Sequence, residues 1–276
     1  MKQTIGIEIL KKKLPFITVW HNLVILYIFQ ITLFMGILIF LYWISSMVWY
    51  GALIGQSIIS FLAIFPLAYI TINSDKLRKK YRKKYGKLAY QHMWLLFGSY
   101  NEPFGSASLY FPAILTTNGL LPKIIHFESN PFTINLLPSL IALPLGIFII
   151  LTGFLIRKPT GGYDIDIASY VYIIYPEESR KLDGGLYKFI RNPQYLGRSI
   201  ICIGLAVIAN NLLAFFVALI YFLAFYLLGF IEERELIKRF GESYKIYCKK
   251  VPSIFPKYTM WKEFAKALIF GGNKQE

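Results

Sequence analysis

Long uncharged stretches alternate with short basic segments along this chain. Residues 16–74 contain no Lys, Arg, Asp or Glu, and no charged residue lies between Arg198 and Glu232. Both stretches are longer than the roughly 20 apolar residues that a helix needs to cross a bilayer. Each therefore predicts two membrane helices joined by a turn.

In the first stretch the turn is predicted from small and polar residues. Ser45, Ser46 and Gly51 lie close together and favour a break there. This break gives helices near 17–44 and 52–72, each long enough for one crossing.

A tighter hairpin is predicted over residues 196–231. A straight helix of that length would measure about 54 Å, which is nearly twice the hydrocarbon thickness of about 30 Å. Asn210 and Asn211 lie near the middle of this segment and favour a turn. The hairpin would return Glu232 to the side of the membrane on which Arg191 lies.

The distribution of basic residues predicts the orientation. The net charge is +15, and the basic residues are concentrated in segments next to the membrane, which fits topology and anionic lipid head groups better than nucleic acid. Only Lys123 is basic between residues 88 and 156. We therefore expect the N-terminus, the basic run 75–87 and Arg157 on the cytoplasmic side.

Two further crossings follow from this orientation. Residues 134–156 predict a helix that ends at Arg157. Residues 88–133 are apolar but interrupted by Pro and Gly, and one distorted crossing there would bring Arg157 back to the cytoplasmic side. The sequence thus predicts an all-α fold, a polytopic membrane helix bundle of about five or six spans with a cytoplasmic helical cap at the C-terminus.

The remaining polar residues limit the chemistry. The three histidines and two cysteines are scattered without ligand spacing, so we expect neither a metal site nor a disulfide. The loop 159–184 is polar and rich in turn residues, and its Tyr170, Tyr172 and Tyr175 suit a head-group interface.

Two polar clusters flank the hairpin and are the candidate site. In the first, Arg191 precedes a helix start and is a suitable clamp for a carboxylate or phosphate. In the second, Glu232 and Glu233 would be costly to bury unless paired. Each cluster alone is also explained as an ordinary membrane flank; the return of both clusters to one side favours a shared pocket.

The segment from Gly185 to Pro256 resembles the integral-membrane methyltransferases, which include isoprenylcysteine carboxyl methyltransferases and phospholipid N-methyltransferases. The resemblance is carried by Gly-x-Tyr from 185, Arg-Asn-Pro-x-Tyr-x-Gly from 191, the apolar hairpin, Glu-Glu-x-x-Leu from 232, Phe-Gly-x-x-Tyr-x-x-Tyr from 240 and Val-Pro at 251. The first half of the chain resembles no family that we can name.

This resemblance implies S-adenosylmethionine held at the cytoplasmic face and a membrane lipid or lipidated acceptor that enters from the bilayer. It makes residues 157–276 the cofactor-binding catalytic half and residues 1–156 the membrane helices of the possible substrate side. Arg191 and Glu233 are the implied catalytic residues. The implied cofactor-binding residues are Gly185, Tyr187, Arg191, Asn192, Pro193, Tyr195, Gly197, Glu232, Glu233 and Tyr244.

One residue departs from the family pattern, because Asn192 occupies the position of a His. An amide can keep a hydrogen bond but cannot titrate near neutral pH. The expected role of this position is therefore orientation of the cofactor.

Two alternatives to methyl transfer stay open at the sequence level. The tail Tyr247–Pro252 is also similar to that of membrane sterol reductases, which would imply NADPH. The loss of the His would also be compatible with a non-catalytic membrane scaffold.

Overall fold

The structure is a computed structural model that describes residues 11–48, 50–115, 131–161, 170–179 and 181–270. Regular structure in these ranges is helical, and the isolated bridge between Asn135 and Asn211 is their single β-type pairing. The predicted all-α class is confirmed. Part of the loop expected at 159–184 lies outside the described residues.

The helices follow the predicted order closely. They are α1 (Trp20–Met47), α2 (Gly51–Ile72), α3 (Ser74–Tyr85), α4 (Ala89–Ile114), α5 (Ser139–Gly161), α6 (Pro193–Ala209), α7 (Leu212–Phe240), α8 (Glu242–Lys250) and α9 (Trp261–Phe270), with a helical turn at Val171–Ile174.

Four of the described helices, α1, α2, α5 and α7, are long and apolar enough to cross a membrane. Helix α6 is apolar but has only 17 residues. Helix α4 has 26 residues and is more polar, with Pro103 and Pro112 inside it. The polytopic helix bundle is thus confirmed, whereas the crossing over 88–133 stays a prediction.

The predicted hairpin is formed by α6 and α7, and two asparagines make its turn. Asn210 adopts the left-handed conformation with φ of 62°, which Asn tolerates better than most residues. The side chain of Asn211 caps α7 by accepting a hydrogen bond from Ala214 N at 2.9 Å. The amide of Asn210 also binds the carbonyl of Leu137 at 2.7 Å, which ties the turn to the segment before α5.

Glycines bring α5 and α6 into close contact. A Cβ atom on Gly153 would lie 2.7 Å from the carbonyl oxygen of Gly197, and one on Gly146 would lie 2.8 Å from that of Gly204. Small residues at such crossings let two membrane helices approach with their backbones nearly touching. This contact positions α6, whose first turn carries the polar cluster.

Polar side chains attach α4 to α2 inside the bundle. The amide of Gln56 on α2 donates to the hydroxyl of Ser108 on α4 at 2.9 Å. Asn101 on α4 donates to the carbonyl of Ala63 in the second half of α2. These bonds fix the rotation of α4 and hence the direction of its neighbouring side chains.

The two parts of the chain share one core. A single cluster of buried apolar residues includes Leu41 and Ala63 from the first part together with Cys202 and Phe225 from the second. The parts therefore pack as one bundle, and their division at residue 156 by function stays a prediction.

Candidate active site

A polar pocket lies where the start of α6 and the end of α7 meet α8 and the turn Val171–Ile174. Helices α2 and α4 close its other side through Leu67, Asn101 and Glu102. Among the residues predicted from sequence, those that line it are Tyr187, Arg191, Asn192, Pro193, Tyr195, Glu232 and Tyr244.

Arg191 is held by four hydrogen bonds. Its Nε and Nη2 atoms donate to the two carboxylate oxygens of Glu233 at 2.9 and 2.8 Å. Its Nη1 atom donates to the carbonyls of Cys248 at 2.9 Å and Val251 at 2.5 Å. The predicted pairing of Arg191 with the acidic cluster is confirmed, and the guanidinium also fastens the chain after α8.

This arrangement leaves Arg191 little capacity for a ligand. Most of its five N–H donors are used by Glu233 and by backbone carbonyls. Burial alone would lower the pKa of Arg191, but the hydrogen bond and the charge of Glu233 raise it above its ordinary value. The pair therefore supports the wall of the pocket, and a role of either residue in chemistry stays a prediction.

Asn192 extends the same network. Its Nδ2 atom donates to Glu233 Oε1 at 2.7 Å and to the hydroxyl of Ser253 at 3.0 Å. The Ser253 hydroxyl in turn lies 3.1 Å from Glu233 Oε1. Both N–H groups of this uncharged amide thus have acceptors within the protein. The expected role of Asn192 in orienting the cofactor stays a prediction.

Glu232 faces the pocket, in contrast to its neighbour. Its carboxylate accepts a hydrogen bond from the hydroxyl of Tyr170 at 2.7 Å, and Tyr195 interacts with the same group. Tyr170 adopts a left-handed backbone conformation with φ of 58°, which is strained for a bulky residue. Burial and the adjacent charge of Glu232 raise the pKa of Tyr170 well above its ordinary value, so this phenol stays a donor.

Two buried tyrosines of α8 complete the wall. Tyr247 donates through its hydroxyl to the carbonyl of Tyr187 at 2.7 Å. Burial raises the pKa of Tyr244, and the charge of Glu233 adds to this effect. Both side chains are buried, so α8 covers the pocket with aromatic surface.

The two predicted glycines are not among the lining residues. Gly197 packs against α5, and its contact with Gly153 explains why no larger residue stands there. Gly185 adopts φ of 56°, a conformation that glycine reaches without strain, at a turn before the pocket. Both residues thus have a role in the local backbone structure. Their contact with a cofactor stays a prediction.

Other residues of the pocket were not among the predicted site residues. Tyr170 and Tyr172, which were expected at a head-group interface, line the pocket, and Tyr172 is only 3% exposed, with the guanidinium of Arg239 3.8 Å from the centre of its ring. Their expected position at the interface stays a prediction. Glu102 and Arg198 also line the pocket. A lone carboxylate inside a long apolar helix was the available signal for Glu102.

Comparison with known proteins agrees with the motifs. Residues 141–243 match the family model of the phospholipid methyltransferases (PEMT). This segment contains α5 from residue 141 onwards, the α6–α7 hairpin and the acidic cluster, and it is less than half of the chain. No curated protein and no solved structure has significant similarity to the chain. The match favours methyl transfer over reduction, and it confirms the predicted resemblance: over residues 141–243 the chain is similar to the membrane methyltransferases of the phospholipid methyltransferase family.

Proposed function

We propose that this protein transfers a methyl group from S-adenosylmethionine to a lipid at the cytoplasmic face of a membrane. The observation that carries the proposal is the pocket at the open ends of the α6–α7 hairpin, which combines the carboxylate of Glu232 with aromatic walls. The hairpin lies within the segment that matches the methyltransferase family.

The lining residues fit the chemical groups of S-adenosylmethionine. Glu232 accepts hydrogen bonds from Tyr170 and Tyr195 and has further acceptor capacity for ribose hydroxyls. The ring centroids of Tyr195 and Phe225 lie 6.1 Å apart. The two rings offer flat surfaces to the adenine and to the positively charged sulfur. When bound, the cofactor supplies a methyl group that the acceptor takes while the electron pair of the broken C–S bond stays on sulfur.

The contribution of the chain to this reaction is alignment and exclusion of water. The hydrogen bonds of Arg191 to Glu233 and to the backbone carbonyls fix the relative positions of α6, α7 and the end of α8. Tyr244 and Tyr247 cover the pocket from the side of α8. None of these residues has to gain or lose a proton in that role.

The basic helix α3 supports a cytoplasmic pocket. Arg78 and Arg82 donate to the carbonyls of Ile173 and Ile174, at 3.1 and 2.9 Å, in the turn that forms one pocket wall. The pocket therefore lies on the side of the bundle that carries the main basic run. By the excess of basic residues in cytoplasmic segments, this side faces the cytoplasm, where anionic head groups would contact α3.

The test combines binding with product analysis. Detergent-purified protein is titrated with S-adenosylmethionine and with NADPH by calorimetry, and host lipids are incubated with the protein and isotopically labelled methyl donor. We expect S-adenosylmethionine to bind and label to enter a lipid. Glu232→Gln should weaken this binding at least tenfold, whereas Glu242→Gln removes an exposed carboxylate and should leave it unchanged. Binding of NADPH alone, or of neither compound, would contradict the proposal.

A further inference from the structure

Arg198 brings a guanidinium to the pocket that the described part of the chain leaves without a partner. It lies on α6, one turn after Tyr195, and lines the pocket. Among the described residues it makes neither a hydrogen bond nor an ion pair, in contrast to Arg191, whose donors are occupied. A guanidinium presents a planar set of N–H donors that fits a carboxylate through two parallel hydrogen bonds. Arg198 is thus suited to binding an anionic group.

Glu102 brings a carboxylate to the same pocket from another helix. It lies on α4, next to Asn101, whose side chain donates to the carbonyl of Ala63 on α2. Glu102 is exposed and lines the pocket, and within the described ranges it has neither a hydrogen-bond nor an ion-pair partner. A carboxylate inside a membrane bundle is costly without a cation. Glu102 is therefore suited to binding a cationic group.

A third polar group beside these two charges also lacks a partner. The phenol oxygen of Tyr221 on α7 is buried and has no hydrogen-bond partner among the described residues. Tyr221 lies within electrostatic range of both Arg198 and Glu102. Buried polar atoms of folded proteins are almost always hydrogen-bonded. Three polar groups that the described residues leave unpartnered in one region therefore indicate a polar ligand.

The two charges face one cavity without closing on each other. Arg198 and Glu102 lie within electrostatic range of each other, but in the described structure they form no ion pair. Such an arrangement leaves room between the charges for a ligand that carries both an anionic and a cationic group. An α-amino acid is a ligand of this kind, because its ammonium and its carboxylate are attached to the same carbon.

The charged pair adjoins the residues that we propose for the ribose. Arg198 lies within electrostatic range of Glu232 and of Tyr170 and Tyr195, which form hydrogen bonds to Glu232. In S-adenosylmethionine the sulfur atom joins the ribose to an amino-acid part. One molecule can therefore contact Glu232 through its ribose and the charged pair through its other end.

We propose that Arg198 and Glu102 bind the amino-acid part of S-adenosylmethionine, with the guanidinium facing its carboxylate and the carboxylate of Glu102 facing its ammonium. This inference rests on the proposed function, and it adds two binding residues that the sequence motifs do not include. It also gives α4, which precedes the matched segment 141–243, a direct role in cofactor binding. A zwitterionic lipid head group carries the same kinds of charge, and the experiment distinguishes the two sources.

The experiment uses two pairs of ligands that differ in the groups in question. S-adenosylhomocysteine and methylthioadenosine share the nucleoside and a thioether sulfur, but only the first has the amino-acid part. S-adenosylmethionine and its decarboxylated form share the sulfonium and the ammonium, but only the first has the carboxylate. The Kd of each compound is measured by calorimetry with the full chain in detergent and without added lipid.

The variants remove one charge at a time. Arg198→Gln removes the guanidinium, and Glu102→Gln removes the carboxylate. Arg198→Lys is a second variant that keeps the charge but not the planar pair of donors. Arg234→Gln and Glu242→Gln are the matched controls, because each removes an exposed charge that does not line the pocket.

We expect the wild type to bind S-adenosylhomocysteine at least about tenfold more tightly than methylthioadenosine, because charge-assisted hydrogen bonds are strong. Arg198→Gln and Glu102→Gln should each raise the Kd of S-adenosylhomocysteine at least about tenfold. The Kd of methylthioadenosine should stay within about twofold of the wild-type value, which also reports that the variants are folded. Arg198→Lys should be intermediate, and both controls should bind as the wild type does.

The decarboxylated ligand assigns the two charges separately. The preference for S-adenosylmethionine over its decarboxylated form should be lost in Arg198→Gln and kept in Glu102→Gln. The opposite result would overturn the assignment of the guanidinium to the carboxylate.

Three further outcomes separate this inference from the proposed function. Equal affinity of the wild type for S-adenosylhomocysteine and methylthioadenosine would overturn the inference alone. The same holds if both Kd values change by the same factor in the charge variants, or if neither changes, as a lipid head group at this pair predicts. Absence of binding of both S-adenosylmethionine and S-adenosylhomocysteine to the wild type would overturn the proposed function.

Discussion

Glu232 and Glu233 are adjacent in the chain, yet their carboxylates have different partners. Glu233 accepts hydrogen bonds from Nε and Nη2 of Arg191 at 2.9 and 2.8 Å. Glu232 accepts a hydrogen bond from the hydroxyl of Tyr170 at 2.7 Å and lines the pocket. On α7, Glu233 points towards the segment after α8, and Glu232 points towards the cavity. The same substitution at the two positions should therefore have different consequences.

Glu233→Gln should lower the stability of the protein. It leaves the guanidinium of Arg191 buried without its counter-charge, and removal of one partner of a buried ion pair costs about 3–5 kcal/mol. Thermal unfolding in detergent, followed by intrinsic fluorescence, should show a clear drop in the unfolding temperature. Glu232→Gln is the control and should unfold close to the wild type; equal losses in the two variants would contradict the different roles.

Asn192→Asp should destabilise the protein in a pH-dependent way. The new carboxylate would lie beside Glu233 Oε1, to which Asn192 now donates at 2.7 Å. Repulsion raises the folded-state pKa of the new carboxyl above its unfolded value of about 3.9. The loss of stability therefore grows as pH rises from that value to the raised pKa, and is fully present above the raised pKa. Unfolding temperatures of the variant and the wild type should differ more at pH 8 than at pH 5.

Asn192→His tests the same position with a donor retained. One ring N–H can replace one of the two amide donors, so we expect stability within about 1 kcal/mol of the wild type and retained cofactor binding. Complete loss of cofactor binding in a folded Asn192→His protein would contradict the orienting role of this residue.

Gly197→Ala should loosen the contact between α5 and α6. The added Cβ would lie 2.9 Å from the carbonyl oxygen of Gly153 and closer still to the side chain of Arg157, so the helices must separate. Gly36→Ala is the matched control, because a Cβ at Gly36 on α1 meets nothing within 4 Å. We expect a lower unfolding temperature for Gly197→Ala and an unchanged or higher one for Gly36→Ala, since Ala favours a helix by up to about 1 kcal/mol over Gly.

Cys248 should react slowly with alkylating reagents. Burial raises the pKa of its thiol, and only the thiolate is nucleophilic. The rate of modification by iodoacetamide, measured by mass spectrometry of the peptide, should therefore be lower than that of free cysteine at pH 8. It should still increase with pH at values where free cysteine has reached its plateau; a plateau below pH 9 would contradict the raised pKa.

Much of the membrane architecture could be predicted from sequence because charge is absent over long segments. The gap between Arg198 and Glu232 required a hairpin, and Asn210 and Asn211 at its turn were recognisable as residues that adopt and cap such a turn. The meeting of Arg191 with the acidic cluster followed from that hairpin alone. The hairpin and this meeting both follow from the length of the uncharged segment and from the polarity of the residues at its turn and at its ends.

The partners that come from distant segments could not be predicted in the same way. The carbonyls of Cys248 and Val251 that bind Arg191 depend on how the chain turns after α8. The approach of Glu102 to the pocket depends on the rotation of α4, which is set by Asn101 and by the contact between Gln56 and Ser108. The hydrophobic periodicity of the sequence does not determine the rotation of α4.

The hydrogen bonds that hold Arg191 to the carbonyls of Cys248 and Val251 have a consequence for the synthesis of the protein. Among the residues that the structure describes, the side chains that line the pocket belong to residues up to Tyr247. The carbonyls that Arg191 and the backbone of Asn192 bind come from Cys248 to Ser253. A nascent chain released by a premature stop codon after Tyr247 would thus contain the described lining residues and still lack the acceptors that hold them in place. Residues 248–253, which leave the ribosome after the lining residues, therefore decide whether those earlier residues form a usable cavity.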